Sequence, residues 1–202
     1  MNKTIFKFFY LLLFLLSSCS LFESDNKTSS TTSFLFDKKI IVSPISESQF
    51  NLTPFIKLLL KNEGMYLYDI EGQYQNKAFS VNGALKIQNN NLNLITLINQ
   101  NKLFNINLDS DLNFSTTTNI VEIKNNPEYL IGELCFIYLD KHDLSNLLPK
   151  DYKVEEFNNE RSISYDDIPI IQITYDSNNH FVSNIEFNNV LKNYSYKLKK
   201  IN

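Results

Sequence analysis

The sequence predicts an α+β protein, mainly β, built as one curled antiparallel sheet around a buried helix. Short stretches of alternating apolar and polar residues recur from Met65 onward, and such alternation is typical of half-buried strands. Turns rich in Asn, Asp and Ser separate these stretches at intervals of about ten to twelve residues, which favours an antiparallel meander. One apolar stretch with helical spacing lies between two runs of strands. A single sheet curled around that helix needs only short connections.

The first run of strands carries most of the candidate ligand-contacting residues. We predict strands at 65–74, 77–88, 92–98 and 102–108, and one or two more within 112–123. Because side chains alternate between the two faces of a strand, every second apolar residue would face the inside of the curled sheet. The candidates on that face are Phe79, Val81, Leu85 and Ile87 from one strand and Phe104, Ile106 and Leu108 from another.

The helix is predicted over Tyr129 to Leu139, after a capping sequence with proline at the first helical position, Asn126-Pro127-Glu128. It is apolar nearly all round, so we expect it to be buried. Leu134 and Tyr138 of its apolar stripe complete the candidate ligand-contacting set. Cys135 of the same stripe is expected to be a small buried hydrophobe.

Further elements flank this region on both sides. Residues 34–42 could form an extended arm, and 54–60 a short helix with proline in its first turn. A second short helix is predicted at 143–148. The sheet is then completed by strands predicted at 152–157, 161–165, 168–175, 181–188 and 194–201.

The N-terminal residues predict a secreted lipoprotein. Lys3 and Lys7 form a positive region, an apolar core follows, and small residues lead into Cys19. The core is too short for a bilayer, which needs roughly twenty residues. Leu16-Ser17-Ser18-Cys19 resembles the bacterial lipobox, which implies cleavage before Cys19 and lipidation of that cysteine. Such a lipid carries two or three acyl chains, and two membrane signals are enough for stable anchoring. In proteobacteria an aspartate after the lipidated cysteine often retains a lipoprotein at the inner membrane. Ser20 follows Cys19 here, so a location at the outer membrane, facing the periplasm, is favoured.

The domain organisation follows from this signal. Residues 1–18 are the predicted signal peptide, and 19–33 are the lipidated cysteine with a polar, flexible tether. Residues 34–202 have the length of one domain. With Cys19 lipidated, Cys135 has no partner for an internal disulfide.

Composition and motifs argue against several classes of function. The 22 acidic residues outnumber the 19 basic ones and no basic run is present, so we expect no nucleic-acid partner. The only histidines, His142 and His180, lack metal-ligand spacing. The acid pairs at 155–156 and 166–167 are adjacent, and adjacent strand residues point to opposite faces. No nucleophile elbow, phosphate loop or dinucleotide fingerprint is present, so the sequence predicts neither an enzyme nor a cofactor.

A family resemblance covers the chain from Asn62 to its end. It rests on the segment from Asn126 to Tyr138, on Leu147-Leu148-Pro149, on Arg161 and on the strand-turn-strand of 168–187. These residues resemble an uncharacterised family of bacterial lipoproteins related to LolB, the outer-membrane acceptor of lipoproteins. The resemblance implies an incomplete β-barrel of the LolA/LolB kind. The family often accompanies genes for fatty-acid-like or aryl polyene lipid synthesis, which implies a role in outer-membrane lipid traffic. The chain departs from the family after Tyr138 and contains no tryptophan.

Two interpretations of the interior stay open on the sequence. If the helix only caps the curled sheet, a cavity for acyl chains of a lipid or lipoprotein remains. If the helix fills the sheet, the protein is an assembly or interaction subunit of an envelope complex, pairing a sheet edge with a partner protein. Arg161, the only arginine, could bind a carboxylate or lipid headgroup. We prefer a partly exposed salt bridge with a glutamate such as Glu133 or Glu155.

Overall fold

The computed structural model describes residues 41–42, 50–74, 77–118, 124 and 126–201. The predicted signal peptide, Cys19 and the tether lie outside the described residues, as does most of the predicted arm at 34–42. Residues 41–42 form a short strand that pairs with a second one at 50–51.

The described part of the chain is mainly β. Its strands are β1 (Ile41–Val42), β2 (Phe50–Asn51), β3 (Gly64–Tyr74), β4 (Lys77–Gln88), β5 (Asn91–Ile98), β6 (Asn101–Leu108), β7 (Phe114–Thr118), β8 (Tyr152–Phe157), β9 (Glu160–Tyr165), β10 (Ile168–Tyr175), β11 (Ile185–Asn189) and β12 (Tyr194–Lys200). Its helices are α1 (Thr53–Leu59), α2 (Glu128–Tyr138) and α3 (Lys141–Leu147).

Ten of these strands form one curled antiparallel sheet that is not closed into a barrel. Its order is β7-β6-β5-β4-β3-β12-β11-β10-β9-β8. Strands β3 to β7 form one meander and β8 to β12 another, and the pairing of β3 with β12 joins them in the middle of the sheet. The two short strands β1 and β2 form a separate ladder. The predicted fold class is therefore confirmed at the level of a mainly β protein with a curled antiparallel sheet.

The hairpin turns explain why short asparagine-rich stretches separate the strands in the sequence. Asn89 and Asn90 adopt φ values of 51° and 56°, and Asn158 with Asn159 and Asp166 with Asp167 are also consecutive residues with positive φ. Two-residue hairpins require positive φ at both central positions, which Asn and Asp tolerate better than other residues with a side chain. The turns predicted at these residues are confirmed, and they set the register of the ladders on either side.

One face of the sheet is apolar and is called here the inner face. On β4 it carries Val81, Leu85 and Ile87, which are at most 7% exposed, whereas Lys86 and Asn82 of the other face are exposed. Helices α1 and α2 contact each other and belong to the same buried cluster as this face. The burial of an apolar face against helices is the main favourable contribution to folding.

Arg161 secures the C-terminal end of α2. Its guanidinium Nη1 donates to the carbonyl oxygens of Phe136 at 2.6 Å and Leu139 at 2.7 Å, and the hydroxyl of Tyr175 donates to that of Ile137 at 2.7 Å. The last carbonyls of a helix have no hydrogen-bond donor within the helix, and a buried carbonyl without a donor is costly. The bonds from Arg161 and Tyr175 supply these donors.

The ion pair of Arg161 differs from the predicted one. Arg161 forms the expected salt bridge with a glutamate, but the partner is Glu156 at 2.6 Å, not Glu133 or Glu155, and the guanidinium is buried while Glu156 is partly exposed. Strand alternation explains the choice of partner. Glu156 lies directly opposite Arg161 in the ladder of β8 with β9, whereas Glu155 points to the other face and pairs with Lys153.

Two local predictions also need correction. The strand predicted at 181–188 begins as a 3₁₀ turn, His180–Val182, because the Asn179 side chain accepts from the amide of Phe181. Residues Ile185–Asn189 then form β11. Helix α2 begins one residue before the predicted start, and no side-chain hydrogen bond caps its N-terminus.

Candidate functional site

An apolar cavity of about 150 Å³ lies between α2 and the inner face of the sheet. Helix α2 contributes the side chains of its N-terminal half, and five strands contribute the other walls. Because β3 pairs with β12, the two meanders meet at this wall. The lining residues are Ile70, Phe79, Val81, Leu94, Thr96, Leu103, Phe104, Tyr129, Leu130, Glu133, Leu134, Lys192, Tyr194, Tyr196 and Leu198.

Four of the nine candidate ligand-contacting residues line this cavity. Phe79 and Val81 lie on β4, Phe104 on β6 and Leu134 on α2. Val81 and Phe104 are each 7% exposed, so their side chains line the cavity and also belong to the hydrophobic core. The inner-face alternation that selected these residues is therefore the geometry of the cavity wall.

The other five candidates lie in the core and do not line the cavity. Leu85, Ile87, Ile106 and Leu108 are between 0% and 2% exposed. Tyr138 stacks on Phe181 with ring centroids 4.6 Å apart. These five residues belong to the buried cluster that also contains side chains of α1 and of the C-terminal half of α2. The interior is consequently filled at one end and hollow at the other, a combination of the two alternatives that the sequence left open.

Glu133 places a carboxyl group in the wall of the apolar cavity. The hydroxyl of Tyr196 donates to Glu133 Oε2 at 3.1 Å, and the hydroxyl of Tyr194 donates to Oε1. Asn189 Nδ2 in turn donates to the Tyr194 hydroxyl at 3.2 Å. Both tyrosines lie on the inner face of β12, so the pairing of β12 in the middle of the sheet presents two hydroxyl donors to one helical carboxylate.

The environment of Glu133 raises its pKa from 4.5 to about 7. Burial is the largest cause, because an apolar environment disfavours the charged form. The hydrogen bond from Tyr196 and the positive charge of Lys192 act in the opposite direction and lower the pKa. Burial and the Glu133 charge together raise the pKa of the Tyr196 hydroxyl, which keeps that hydroxyl a donor.

Lys192 marks the edge of the cavity. Its ammonium lies 4.7 Å from the centre of the Tyr129 ring, a cation–π distance. Lys192 belongs to residues 190–193, the loop between β11 and β12. Two apolar side chains of this loop are exposed to solvent, Val190 at 45% and Leu191 at 55%. A cation and two exposed apolar residues therefore lie beside the cavity.

Eleven lining residues were missed by the sequence analysis, and the polar or aromatic ones among them include Tyr129, Glu133, Lys192, Tyr194 and Tyr196. One signal was available, because Glu133 is the only charged residue between Tyr129 and Tyr138 in an otherwise apolar helix. A carboxylate in such a stripe must find donors or a cavity. The identity of the donors depends on strand pairing, which the sequence alone does not show.

The other titratable groups of the described residues do not converge on a reactive centre. His180 stacks on Tyr175, and burial and the Arg161 charge lower its pKa, so it is a neutral neighbour of the ion pair. Burial raises the pKa of the Cys135 thiol, which agrees with its prediction as a buried hydrophobe. Within the described residues, no group of three or more His, Cys, Asp or Glu side chains could hold a metal ion.

A wider depression of about 1050 Å³ lies outside the cavity and is open to solvent. Exposed polar residues of the outer face supply much of its lining, including Gln172, Thr174 and Lys197. It has neither the enclosure nor the apolar walls of a ligand pocket. We therefore take the smaller cavity beside α2 as the candidate site.

The fold and the site define a mainly β protein with an open, curled antiparallel sheet and an apolar cavity that contains one carboxylate. The chain belongs to the family described as protein of unknown function, DUF3261, which matches residues 68–202. The matched region includes all lining residues of the cavity. No curated protein matches the chain. None of the helices in the described ranges is long and apolar enough to cross a membrane.

Proposed function

We propose that this protein is a non-enzymatic lipoprotein of the bacterial envelope that binds an acyl chain of a lipid or lipoprotein in the cavity beside α2. It would be anchored through lipidated Cys19 at the outer membrane, facing the periplasm, and would assist transfer of the bound chain. The architecture would be an incomplete barrel of the LolA/LolB kind, with α2 inside the curled sheet.

The observation that carries the proposal is the cavity itself. Its walls are almost entirely apolar, with aliphatic and aromatic side chains from five strands and one helix. Apolar walls with a few polar groups are typical of sites for small apolar ligands. Water gains few hydrogen bonds in such a space, so its replacement by methylene groups is favourable.

The position of the exposed loop supports transfer in addition to binding. Val190 and Leu191 precede Lys192, which lines the cavity. Exposed apolar side chains next to a cation are suited to the boundary between lipid headgroups and acyl chains. A carrier that touches the membrane at this loop would bring its cavity close to the bilayer.

The size of the cavity favours a second candidate function. At about 150 Å³ it is smaller than typical ligand pockets, which occupy roughly 300–1,000 Å³. A protein whose interior is largely filled could instead be an interaction subunit of an envelope complex, with strand β7 or β8 at the sheet edges pairing with a partner strand. This alternative predicts a stable protein partner and no bound lipid.

The first test is native mass spectrometry of the protein purified gently from a bacterial envelope, followed by lipid extraction. The chain would carry Cys19→Ser behind a cleavable signal peptide, so that it is exported and any acyl-bearing mass is bound and not attached. A stoichiometric acyl-bearing ligand is the expected result. A clean apoprotein mass that does not change on addition of fatty acids or phospholipids would contradict acyl binding.

A cavity-filling variant locates the ligand. Leu134→Phe adds a ring to the cavity wall and should abolish acyl binding while the protein stays folded. The control is Leu67→Phe, because Leu67 is 37% exposed and does not line the cavity. If Leu134→Phe binds acyl compounds as well as the control does, the ligand lies elsewhere.

A further inference from the structure

The polar part of the site restricts which ligands can fill it. Glu133 is the one acidic residue among the lining side chains, and its carboxylate oxygens each accept a hydrogen bond, from Tyr194 and from Tyr196. A carboxylate offers about four lone-pair positions and is an acceptor only when ionised. The two tyrosine hydroxyls do not exhaust this capacity, so Glu133 can accept from a ligand donor at the cavity wall.

The rest of the cavity lining offers few polar side chains. The lining of the cavity is otherwise aliphatic and aromatic apart from Thr96 and Lys192. Lys192 acts on Glu133 through its charge, and its ammonium lies over the Tyr129 ring at 4.7 Å. A ligand group beside Glu133 would thus meet an acceptor that is already negatively polarised and partly shielded from water.

We propose that the site selects acyl compounds that carry a hydrogen-bond donor next to the chain, an amide N–H or a hydroxyl, whose hydrogen binds the Glu133 carboxylate. This inference rests on the proposed acyl binding and adds its polar specificity. Esters present only acceptors and would leave Glu133 facing an oxygen lone pair. Free carboxylates would add a like charge. An amide also presents a carbonyl oxygen, which suits the positive charge of Lys192.

The chemistry of desolvation gives the direction of selectivity. A buried acceptor that loses water and gains no donor weakens binding, whereas a matching donor restores the lost hydrogen bond. The tyrosine bonds already satisfy part of the carboxylate, so we expect selectivity of about tenfold, the effect of one hydrogen bond.

The test uses four probes with the same ten-carbon chain, all below the concentration at which they form micelles. They are N-methyldecanamide, decanol, methyl decanoate and decanoate, titrated calorimetrically at pH 8 into the chain from residue 19 onward with Cys19→Ser. The amide and the alcohol should bind about tenfold more tightly than the ester. Decanoate should bind most weakly, because its charge meets that of Glu133.

Glu133→Gln is the variant that isolates the carboxylate. The Gln side chain donates and accepts, so the preference for the amide over the ester should fall to near onefold while the overall apolar binding persists. Tyr196→Phe removes one donor to Glu133 and should keep or increase the preference. The wild-type ligand series needs no variant, so the inference stays testable if Glu133→Gln does not fold.

The outcomes separate this inference from the proposed function. Equal affinities for the amide, the alcohol and the ester would overturn donor selectivity and leave acyl binding intact. Absence of binding by all four probes would overturn both. A preference for decanoate at pH 8 would also overturn the inference, because it would show that Lys192 and not Glu133 determines the polar group.

Discussion

At the scale of single residues, Glu133 couples the cavity to the stability of the fold. Its carboxyl is held by two tyrosines of β12, and an apolar environment raises its pKa from 4.5 to about 7. The folded protein therefore binds this proton more tightly than the unfolded chain does. The group to which we assign the proposed ligand selectivity thus lowers stability at neutral pH, as residues of binding sites commonly do.

The pH dependence of stability measures this effect. The contribution of Glu133 is fully favourable below about pH 4.5 and is lost as the pH rises through about 7. Replacement by Gln removes the titration. We expect the free energy of unfolding of Glu133→Gln, relative to wild type, to rise by about 2 kcal/mol between those pH values, since one pKa unit corresponds to about 1.4 kcal/mol and the side chain is partly exposed.

Urea denaturation followed by circular dichroism is the suitable measurement, because the chain contains no tryptophan. The comparison between variant and wild type cancels the titration of other carboxylates, provided that both are measured at each pH. A difference that stays constant from acid to neutral pH would show that the pKa of Glu133 is not raised.

Arg161 is the residue on which the end of α2 depends most. Replacement by Met would leave the carbonyls of Phe136 and Leu139 and the carboxylate of Glu156 without their donor. We expect a loss of about 3–5 kcal/mol in the free energy of unfolding, as for other buried pairs that lose one partner. The measurement is chemical denaturation at pH 7.

The matched control for Arg161→Met is Lys153→Met in the neighbouring strand. Lys153 pairs with Glu155 on the outer face, where both side chains are about 60% exposed. Solvent screens an exposed pair, so this variant should be nearly neutral. Similar losses in the two variants would contradict the capping role of Arg161.

At the scale of elements, two glycines respond in opposite ways to the addition of a methyl group. A Cβ on Gly72 of β3 would lie 2.6 Å from Cε1 of the Phe79 ring and 2.6 Å from the carbonyl oxygen of Ser195. A Cβ on Gly132 of α2 would meet only the methyl groups of Leu52, at 3.7 Å and 3.8 Å. Gly72 therefore makes room for an aromatic side chain in the cavity wall, and Gly132 does not restrict its neighbours.

We expect Gly132→Ala to stabilise the protein by about 0.5–1 kcal/mol, because alanine favours the helix and the new contact is an ordinary one. Gly72→Ala should destabilise it by about 1–3 kcal/mol and displace the Phe79 ring, as overpacking does. Thermal unfolding measures both changes, and acyl binding should weaken in Gly72→Ala alone. Stabilisation by both substitutions would contradict the proposed packing of Phe79.

The elements were predictable to the extent that they are encoded locally. The bounds of β4, β8 and β10 agree with those predicted, because alternation and paired Asn or Asp turns act over a few residues. The cavity was only partly predictable. Leu85 and Phe104 have the same inner-face pattern, yet only Phe104 lines the cavity. Likewise Glu133 meets Tyr194 and Tyr196 across 61 and 63 residues.

At the scale of the whole molecule, the apolar loop beside the cavity gives the proposed carrier a direction. Tyr194 pairs with Tyr74, so residues 190–193 lie at the end of the sheet opposite to Met65, the second residue of β3. The proposed carrier would therefore present this end, and not the other, to the bilayer.

Leu191→Glu should slow the transfer of a fluorescent fatty acid from the protein to phospholipid vesicles about tenfold or more, because a charged residue enters the apolar part of a membrane at a cost of about 2–3 kcal/mol. The affinity for the fatty acid should not change. The control is Met65→Glu, since Met65 is 63% exposed and lies far from the loop. Equal transfer rates for the two variants would show that the loop does not touch the membrane.

The pairing of β3 with β12 also determines when the protein can fold. The first and last strands of the ten-stranded sheet meet at its centre, so that Lys199 bonds to Glu71 across 128 residues. Until β12 has been synthesised, β3 of the first meander has no strand to pair with on that side. The cavity then also lacks Tyr194 and Tyr196, which bind Glu133. Contacts between such distant residues form late and slow down folding. If the protein is exported as proposed, this order would keep the chain unfolded during its passage through a translocation channel until the final strand has crossed.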